Sequence, residues 1–206
     1  MKNPLPYDLA YFSEWGGRSW QALIRTGIGE LQGKNSLKGA ELLEIGAGTG
    51  KMAILFSLLG ANVTGIETQE QSLAVAQEEA KKWNASRVKF IAYNGDLDMF
   101  PDESFDIIFT KSVLVIVPNL GDFLEKISRK LRPNGQAVFI ENGRGNVFLH
   151  ALRMLKPREL DYRRINYFTE KQVRLIQSIY DVNMVKKTFY PPVYLFLARK
   201  RTTGMY

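Results

Sequence analysis

The sequence predicts an α/β fold: one doubly wound, mostly parallel seven-stranded sheet, closed by an antiparallel C-terminal hairpin and preceded by an N-terminal helical lid. Three observations point there. Short apolar runs alternate with segments of helical period along most of the chain, the pattern of successive β/α steps. A glycine-rich turn follows the first apolar run directly and opens a helix. Near the C-terminus, two strand-like runs are joined only by Tyr190-Pro191-Pro192, a link too short for a crossover, so that pair is antiparallel. A length of 206 residues suits a single domain with a substantial core.

Residues 1–39 hold the aromatics Tyr7, Tyr11, Phe12, Trp15 and Trp20, then a helix face of Trp20, Leu23, Ile24, Ile28 and Leu31. This segment is expected to lie as a lid across the ligand-binding edge of the sheet, with a plain packing helix as the equal alternative for residues 20–31. Residues 40–141 form the core. Its strands are 41–45 (ELLEI), 62–66 (NVTGI), 88–92 (VKFIA), 105–110 (FDIIFT) and 136–141 (QAVFIE). A helix over residues 51–59 follows the glycine turn. Thr68-Gln69-Glu70-Gln71 reads as a capping box opening the next helix, with Leu73, Ala76, Ala80 and Trp83 on one face. Leu120, Phe123, Leu124, Ile127 and Leu131 mark a further helix, which Pro133-Asn134-Gly135 ends. Residues 142–168 are an insertion expected on the acceptor side, including a helix over 146–156. Residues 169–206 begin with a second capping box, Thr169 to Gln172, stapled by Phe168 and Val173. Val173, Ile176 and Tyr180 follow as the apolar face, and strands at 183–189 and 193–198 complete the sheet.

Composition removes several functions. The chain has no cysteine, which excludes disulfides, thiolate metal sites and cysteine nucleophiles, and its single histidine leaves no His-rich metal centre. The N-terminus lacks a signal-like apolar region, and no run approaches the roughly 18 apolar residues of a membrane span, so a cytoplasmic protein is expected. Net charge is +7 but unevenly spread: residues 1–103 carry 10 basic and 13 acidic side chains, residues 104–206 carry 18 and 8. The basic residues are dispersed over helices and loops, which reads as a solvated face rather than a grip on nucleic acid.

The most informative segment is Glu44-Ile45-Gly46-Ala47-Gly48-Thr49-Gly50. Glycines there allow a sharp turn and close approach to a ligand, and the helix N-terminus offers free N–H groups. The spacing departs from the dinucleotide G-x-G-x-x-G, whose last glycine falls at Lys51, and no phosphate-cradling GxxxxGK[ST] is present. An acid before the first glycine suits a cationic or amino-bearing ligand better than a pyrophosphate. Glu67 ends the second strand, where a carboxylate can accept from both ribose hydroxyls; capping the following helix is its other reading.

LLEIGAGTG, VTGIE, NGDLDMFPDESFD, IIFTKSVLVIVPN and LRPNGQAVFIE resemble, in this order, the successive motifs of class I S-adenosylmethionine-dependent methyltransferases. The resemblance covers roughly residues 40–141, and the terminal hairpin fits that family's sheet. It implies S-adenosyl-L-methionine as cofactor, S-adenosyl-L-homocysteine as product, and no metal. Gly46, Ala47 and Gly48 would line the methionine part, with Glu44 near its amino group. Glu67, with Thr68 beside it, would bind the ribose. Asp96 would face the adenine amino group and the Leu97 N–H a ring nitrogen. Lys111 and Ser112 would line the sulfonium end, mostly through backbone. The family's stretch from the adenine-binding acid to Phe-Asp is two residues longer than residues 96–106, and a gapless match puts Asn94 in that place. The shorter spacing, with Asp96, is preferred.

Methyl transfer from a sulfonium needs mainly positioning and exclusion of water, and a general base only when the acceptor must lose a proton. Where several family members have histidine after the fourth strand, this chain has Val115 and Ile116. His150 is therefore the candidate base, and Tyr11, Trp15, Glu141 and Tyr167 are candidate acceptor-side residues. Tyr190-Pro191-Pro192-Val193-Tyr194 superficially resembles the tetrad of amino-methylating nucleic-acid enzymes, but it precedes the last strand instead of following the fourth. The expected activity is methylation of a small molecule at oxygen or nitrogen. Methylation of RNA or protein, and a non-catalytic cofactor-binding module, are the alternatives.

Overall fold

The structure, a computed structural model, describes residues 7–13, 17–33, 37–144, 167–189 and 192–201. In chain order its elements are α1 (Leu9–Phe12), α2 (Arg18–Gly33), β1 (Glu41–Ile45), α3 (Lys51–Leu58), β2 (Asn62–Glu67), α4 (Glu70–Lys82), β3 (Val88–Ala92), β4 (Phe105–Lys111), α5 (Leu120–Lys130), β5 (Leu131–Asn142), α6 (Glu170–Ile179), β6 (Tyr180–Lys187) and β7 (Val193–Lys200). Short 3-10 turns at Leu97–Met99 and Leu114–Ile116 flank β4.

The seven strands form one sheet in the order β3-β2-β1-β4-β5-β7-β6. The first five are parallel, and β7 runs antiparallel to both β5 and β6. The chain winds outward from β1 to β3 and then returns to place β4 on the other side of β1. That reversal opens a crevice at the carboxyl ends of β1 and β4, where ligands bind in open α/β sheets.

Strand sequences are nearly continuous apolar runs because both faces are covered. Leu42, Val63, Ile107 and Val138 pack under α2 and α3, while Leu43, Ile45, Ile108 and Phe139 pack under α5 and α6. The helix α2 lies on the sheet face. A Cβ on its Gly27 would stand 3.5 Å from Leu195 and 3.6 Å from Val138, ordinary contact with β7 and β5. Residues 20–31 are thus a packing helix rather than a lid across the sheet's edge. Among the described residues before β1, the turn after the short α1 is tied to the crevice, through the Ser13 carbonyl and Lys111.

Other departures have local causes. The capping box at Thr68 does not form: Gln69 is the N-cap of α4, and the Glu67 carboxylate accepts from the N–H of Thr68 (2.7 Å) and of Gln69 (3.1 Å). The Thr68 hydroxyl donates to Oε1 of the same carboxylate at 3.1 Å, and the helix begins one residue later than the motif suggests. The second box does form, with Thr169 and Gln172 satisfying each other's ends. Tyr180 belongs to β6 and not to the helix face; it is buried, and its hydroxyl donates to the Leu124 carbonyl at 2.7 Å. Pro133-Asn134-Gly135 lies inside β5, absorbed by a register shift against β4, with Asn134 at φ 65. Among the described residues, no helix is long and apolar enough to cross a membrane.

Candidate functional site

The turn after β1 is pinned to its neighbour strand: the N–H groups of Gly46 and Ala47 both donate to the Ile66 carbonyl at 2.9 Å. Its glycines serve different purposes. At Gly46 (φ +72) a Cβ would stand 2.4 Å from Val113 Cγ2, so the absent side chain lets the loop after β4 pack against the turn. At Gly48 (φ +54) a Cβ would meet nothing within 4 Å. There the glycine serves the backbone conformation and keeps the space above it open.

Glu67, at the end of β2, faces this turn. Its Oε2 accepts the Gly48 N–H at 2.9 Å, while Oε1 takes the amides of Thr68 and Gln69 and the Thr68 hydroxyl (3.1 Å). Glu67 therefore fastens the glycine turn and holds the two residues that lead into α4, while the helix's own N-cap, Gln69, makes no side-chain cap bond. Glu44 is buried at 2 % exposure on β1, one residue before the strand's end.

Beyond β3 the chain makes tight turns around Asn94 and Asp96. Asn94 Oδ1 accepts the Asp96 N–H and Asp96 Oδ1 accepts the Asp98 N–H, both at 3.1 Å. The Asp96 carboxylate also takes Lys126 Nζ of α5 at 2.7 Å; this hydrogen bond, followed by the Asp98 amide, holds its carboxyl below the usual range. Asp96 Oδ1 is thus shared between α5 and its own turn. Leu97 is fully buried, and burial, with the Asp96 charge second, pushes the Tyr93 hydroxyl up to about 12.

At the end of β4, Lys111 Nζ donates to the Ser13 carbonyl at 2.9 Å and so ties the segment after α1 to the crevice. Tyr11 packs over α3 and α4: its hydroxyl donates to Glu79 and accepts Trp83 Nε1 at 3.3 Å, with Lys51 Nζ 4.6 Å above its ring. Ser112 sits at φ 60, a conformation rare for a residue with a side chain, and its Oγ accepts from Asn142 Nδ2 at 2.9 Å.

Residues 43–139 match the methyltransferase domain family. A demethylmenaquinone methyltransferase of Tropheryma whipplei (strain Twist) is 35% identical over 140 residues, covering 68% of this chain and 54% of that protein. The chain belongs to the class I methyltransferase family. A ubiquinone biosynthesis O-methyltransferase of Rhodopseudomonas palustris (strain BisA53) is 34% identical over 105 residues, 50% of this methyltransferase and 40% of the relative. The chain spans about half the length of the curated relatives it matches. A SAM-dependent methyltransferase from Aquifex aeolicus shares the fold, with TM-score 0.68 and 18% identity over 95% of this chain and all (100%) of that one.

On the far side of this methyltransferase's crevice, the end of β5 meets the loop after β4. Glu141 is fully buried; its Oε1 accepts from Thr110 Oγ1 (2.9 Å) and from the N–H groups of Leu114 (3.1 Å) and Val113 (3.3 Å). Burial pushes its carboxyl up to about 7, against the opposing pull of those bonds. Glu141 therefore faces the loop's backbone rather than standing as a free acceptor-side acid. Tyr167 precedes Phe168, whose N–H donates to the Asn142 carbonyl at 2.9 Å, which brings it to the same end of β5. His150 and Trp15 lie outside the described residues. No group of three or more His, Cys, Asp or Glu is arranged to hold a metal among the described residues. Sequence reasoning missed Thr110, Val113 and Asn142. Only the polar threonine in the apolar run of β4 hinted at them.

Proposed function

We propose that this methyltransferase binds S-adenosyl-L-methionine in the crevice between the turn after β1 and the ends of β2 and β4, and methylates a small molecule at oxygen or nitrogen. The observation that carries the reading is the pairing of Gly48 with Glu67. An open space stands where Gly48 lacks a side chain, and a carboxylate stands on the same N–H group at its rim. Glu67 Oε2 carries only the Gly48 bond and keeps a lone pair for a ribose hydroxyl, while Oε1 is taken by Thr68 and Gln69. Gly46, Ala47 and Gly48 would line the methionine part, with Glu44 toward its amino group. The Leu97 N–H would reach the adenine ring, and Lys111 and Ser112 the sulfonium end. Lys126 and the Asp98 N–H both take Asp96 Oδ1, which leaves Oδ2 to accept the adenine amino group, whereas the one acceptor of Asn94 is used by the Asp96 N–H, so we assign that group to Asp96.

When bound, the sulfonium supplies a methyl group already activated by positive charge. The chain's own part is to orient and to keep water out. Val113 and the buried Val115 give the loop after β4 an apolar wall, where a base would otherwise stand. The relatives are named for steps in quinone biosynthesis, which supports a compact acceptor of that kind, and no metal is required. We read the chain as one methyltransferase domain acting in the cytoplasm, with residues 142–168 on the acceptor side and His150 as the base where one is needed.

Calorimetry with S-adenosylhomocysteine, with labelled-methyl transfer to short-chain demethylmenaquinol, to catechols and to total RNA, tests this. Binding with turnover of a small acceptor at oxygen or nitrogen is expected; turnover of demethylmenaquinol alone, which gains its methyl on a ring carbon, would overturn the choice of atom. Binding without any turnover would favour a non-catalytic module, and efficient methylation of RNA a polymer substrate.

A further inference from the structure

Three consecutive residues at the end of β5 fasten the loop after β4. The Ser112 N–H donates to the Ile140 carbonyl at 2.9 Å, the Val113 and Leu114 N–H groups to Glu141 Oε1, and Asn142 Nδ2 to Ser112 Oγ. Ser112 is held at its φ of 60 by the bonds to its own N–H and Oγ and to the next residue's N–H. The same loop bears on the glycine turn through Val113, whose methyl group fills the place of a Gly46 side chain. Glu141 thus sets the distance between the wall that would face the acceptor and the turn that would hold the cofactor.

A carboxyl is an expensive fastener. It gives up hydration completely, and its second oxygen, Oε2, is buried without a hydrogen-bond partner among the described residues. Packing alone would be served by a neutral acceptor. What the carboxylate adds is a stronger grip on two successive amides.

We propose that Glu141 is a positioning residue for methyl transfer, whose ionised carboxylate holds Val113 and Leu114 against the glycine turn without touching cofactor or acceptor. The proposal rests on the reading of this crevice as a methyltransferase centre. Thr110 faces Glu141 from β4, and Tyr194 stands directly across from it on β7, with Lys187 Nζ 5.1 Å above the Tyr194 ring. Lys111 projects from the opposite face of β4, and Val113 to Val115 carry no titratable side chain. Phe168 packs beside Tyr194. Because burial holds the carboxyl near neutrality, at about 7, the grip is full above that value and weakens as pH falls through it.

The test uses the full chain with labelled S-adenosylmethionine and short-chain demethylmenaquinol, with S-adenosylhomocysteine binding measured in parallel. Glu141→Gln keeps an acceptor but cannot ionise. It should lower kcat by about ten- to a hundredfold, the scale of a small misplacement, and remove the acid limb of the pH profile, with cofactor affinity changed less than about threefold. Thr110→Val deletes one bond that favours the ionised form while leaving the loop amides alone, so it should move the acid limb to higher pH. This second variant decides the matter if Glu141→Gln does not fold. Absence of turnover in the wild type despite cofactor binding would overturn the methyltransferase reading and this proposal with it. Wild-type turnover, with both variants keeping its kcat and acid limb, would overturn the role of Glu141 alone.

Discussion

Gly46→Ala and Gly48→Ala make the same chemical change two residues apart in one turn, and they should fail in different ways. At Gly46 the new methyl group meets Val113 Cγ2 at 2.4 Å with φ at +72. The left-handed backbone costs an alanine about 1–2 kcal/mol, and forcing a methyl into packed space costs about 1–3 kcal/mol more. Taking about 3.5 kcal/mol together, a chain of this size should melt about 7–14 °C lower. At Gly48 only the backbone cost applies, because nothing stands within 4 Å of the new Cβ. That variant should lose about 1.5 kcal/mol, or about 3–6 °C. Yet the added methyl enters the space assigned to the cofactor, so S-adenosylhomocysteine affinity should fall at least about tenfold, equivalent to about 1.4 kcal/mol. Differential scanning calorimetry and titration calorimetry on the two purified variants supply both numbers. Equal melting losses, or wild-type affinity in Gly48→Ala, would refute the division of labour between the two glycines.

Glu67→Ala should weaken S-adenosylhomocysteine binding by about 1.5–3 kcal/mol, the scale of hydrogen bonds to a charged group. It should also destabilise the fold by about 1 kcal/mol, because it leaves the Gly48, Thr68 and Gln69 amides without their acceptor; titration and urea unfolding separate the two effects. Asp96→Ala should reduce cofactor affinity more than Asn94→Ala, and the reverse order would move the adenine contact to Asn94. Lys126→Ala should raise the Asp96 carboxyl toward its ordinary range in a carbon-detected NMR titration. Since the folded value is depressed, that ion pair stabilises at neutral pH and its contribution is lost as pH falls through the folded value. RNA should bind weakly, with a shallow dependence of log K on log salt that corresponds to few phosphates, each worth a slope of about −0.7 to −0.9.

The strand order and the glycine turn were legible because each rests on a local pattern: an apolar run, a turn, a helical period. What escaped the sequence depends on partners distant in the chain or on competition between neighbours. Tyr180 continues the helical period of Val173 and Ile176, and no Gly or Pro marks the junction, so only its buried bond to Leu124 reveals that β6 has begun. Thr68 looked like a cap because the motif contains no information about Glu67 one residue earlier. Lys126 is 30 residues from Asp96, and nothing in either segment announces their pairing. In the site, the glycines and the acids at strand ends could be read directly. The left-handed Ser112 could not, since serine has no preference for that conformation and takes it only under the hold of β5.

The position of β7 has a consequence for how this chain is made. It is the last strand in sequence, yet it lies between β5 and β6 and pairs with both. Among the described residues, β6 pairs with no other strand, so when it leaves the ribosome it has nothing to join. The first five strands can assemble in the order of synthesis, but until residues 193–200 emerge, β5 keeps an open apolar edge and β6 hangs beside it. Such an edge is a template for pairing with another nascent chain. A pause in translation near residue 190 should therefore do more damage to yield than the same pause near residue 110.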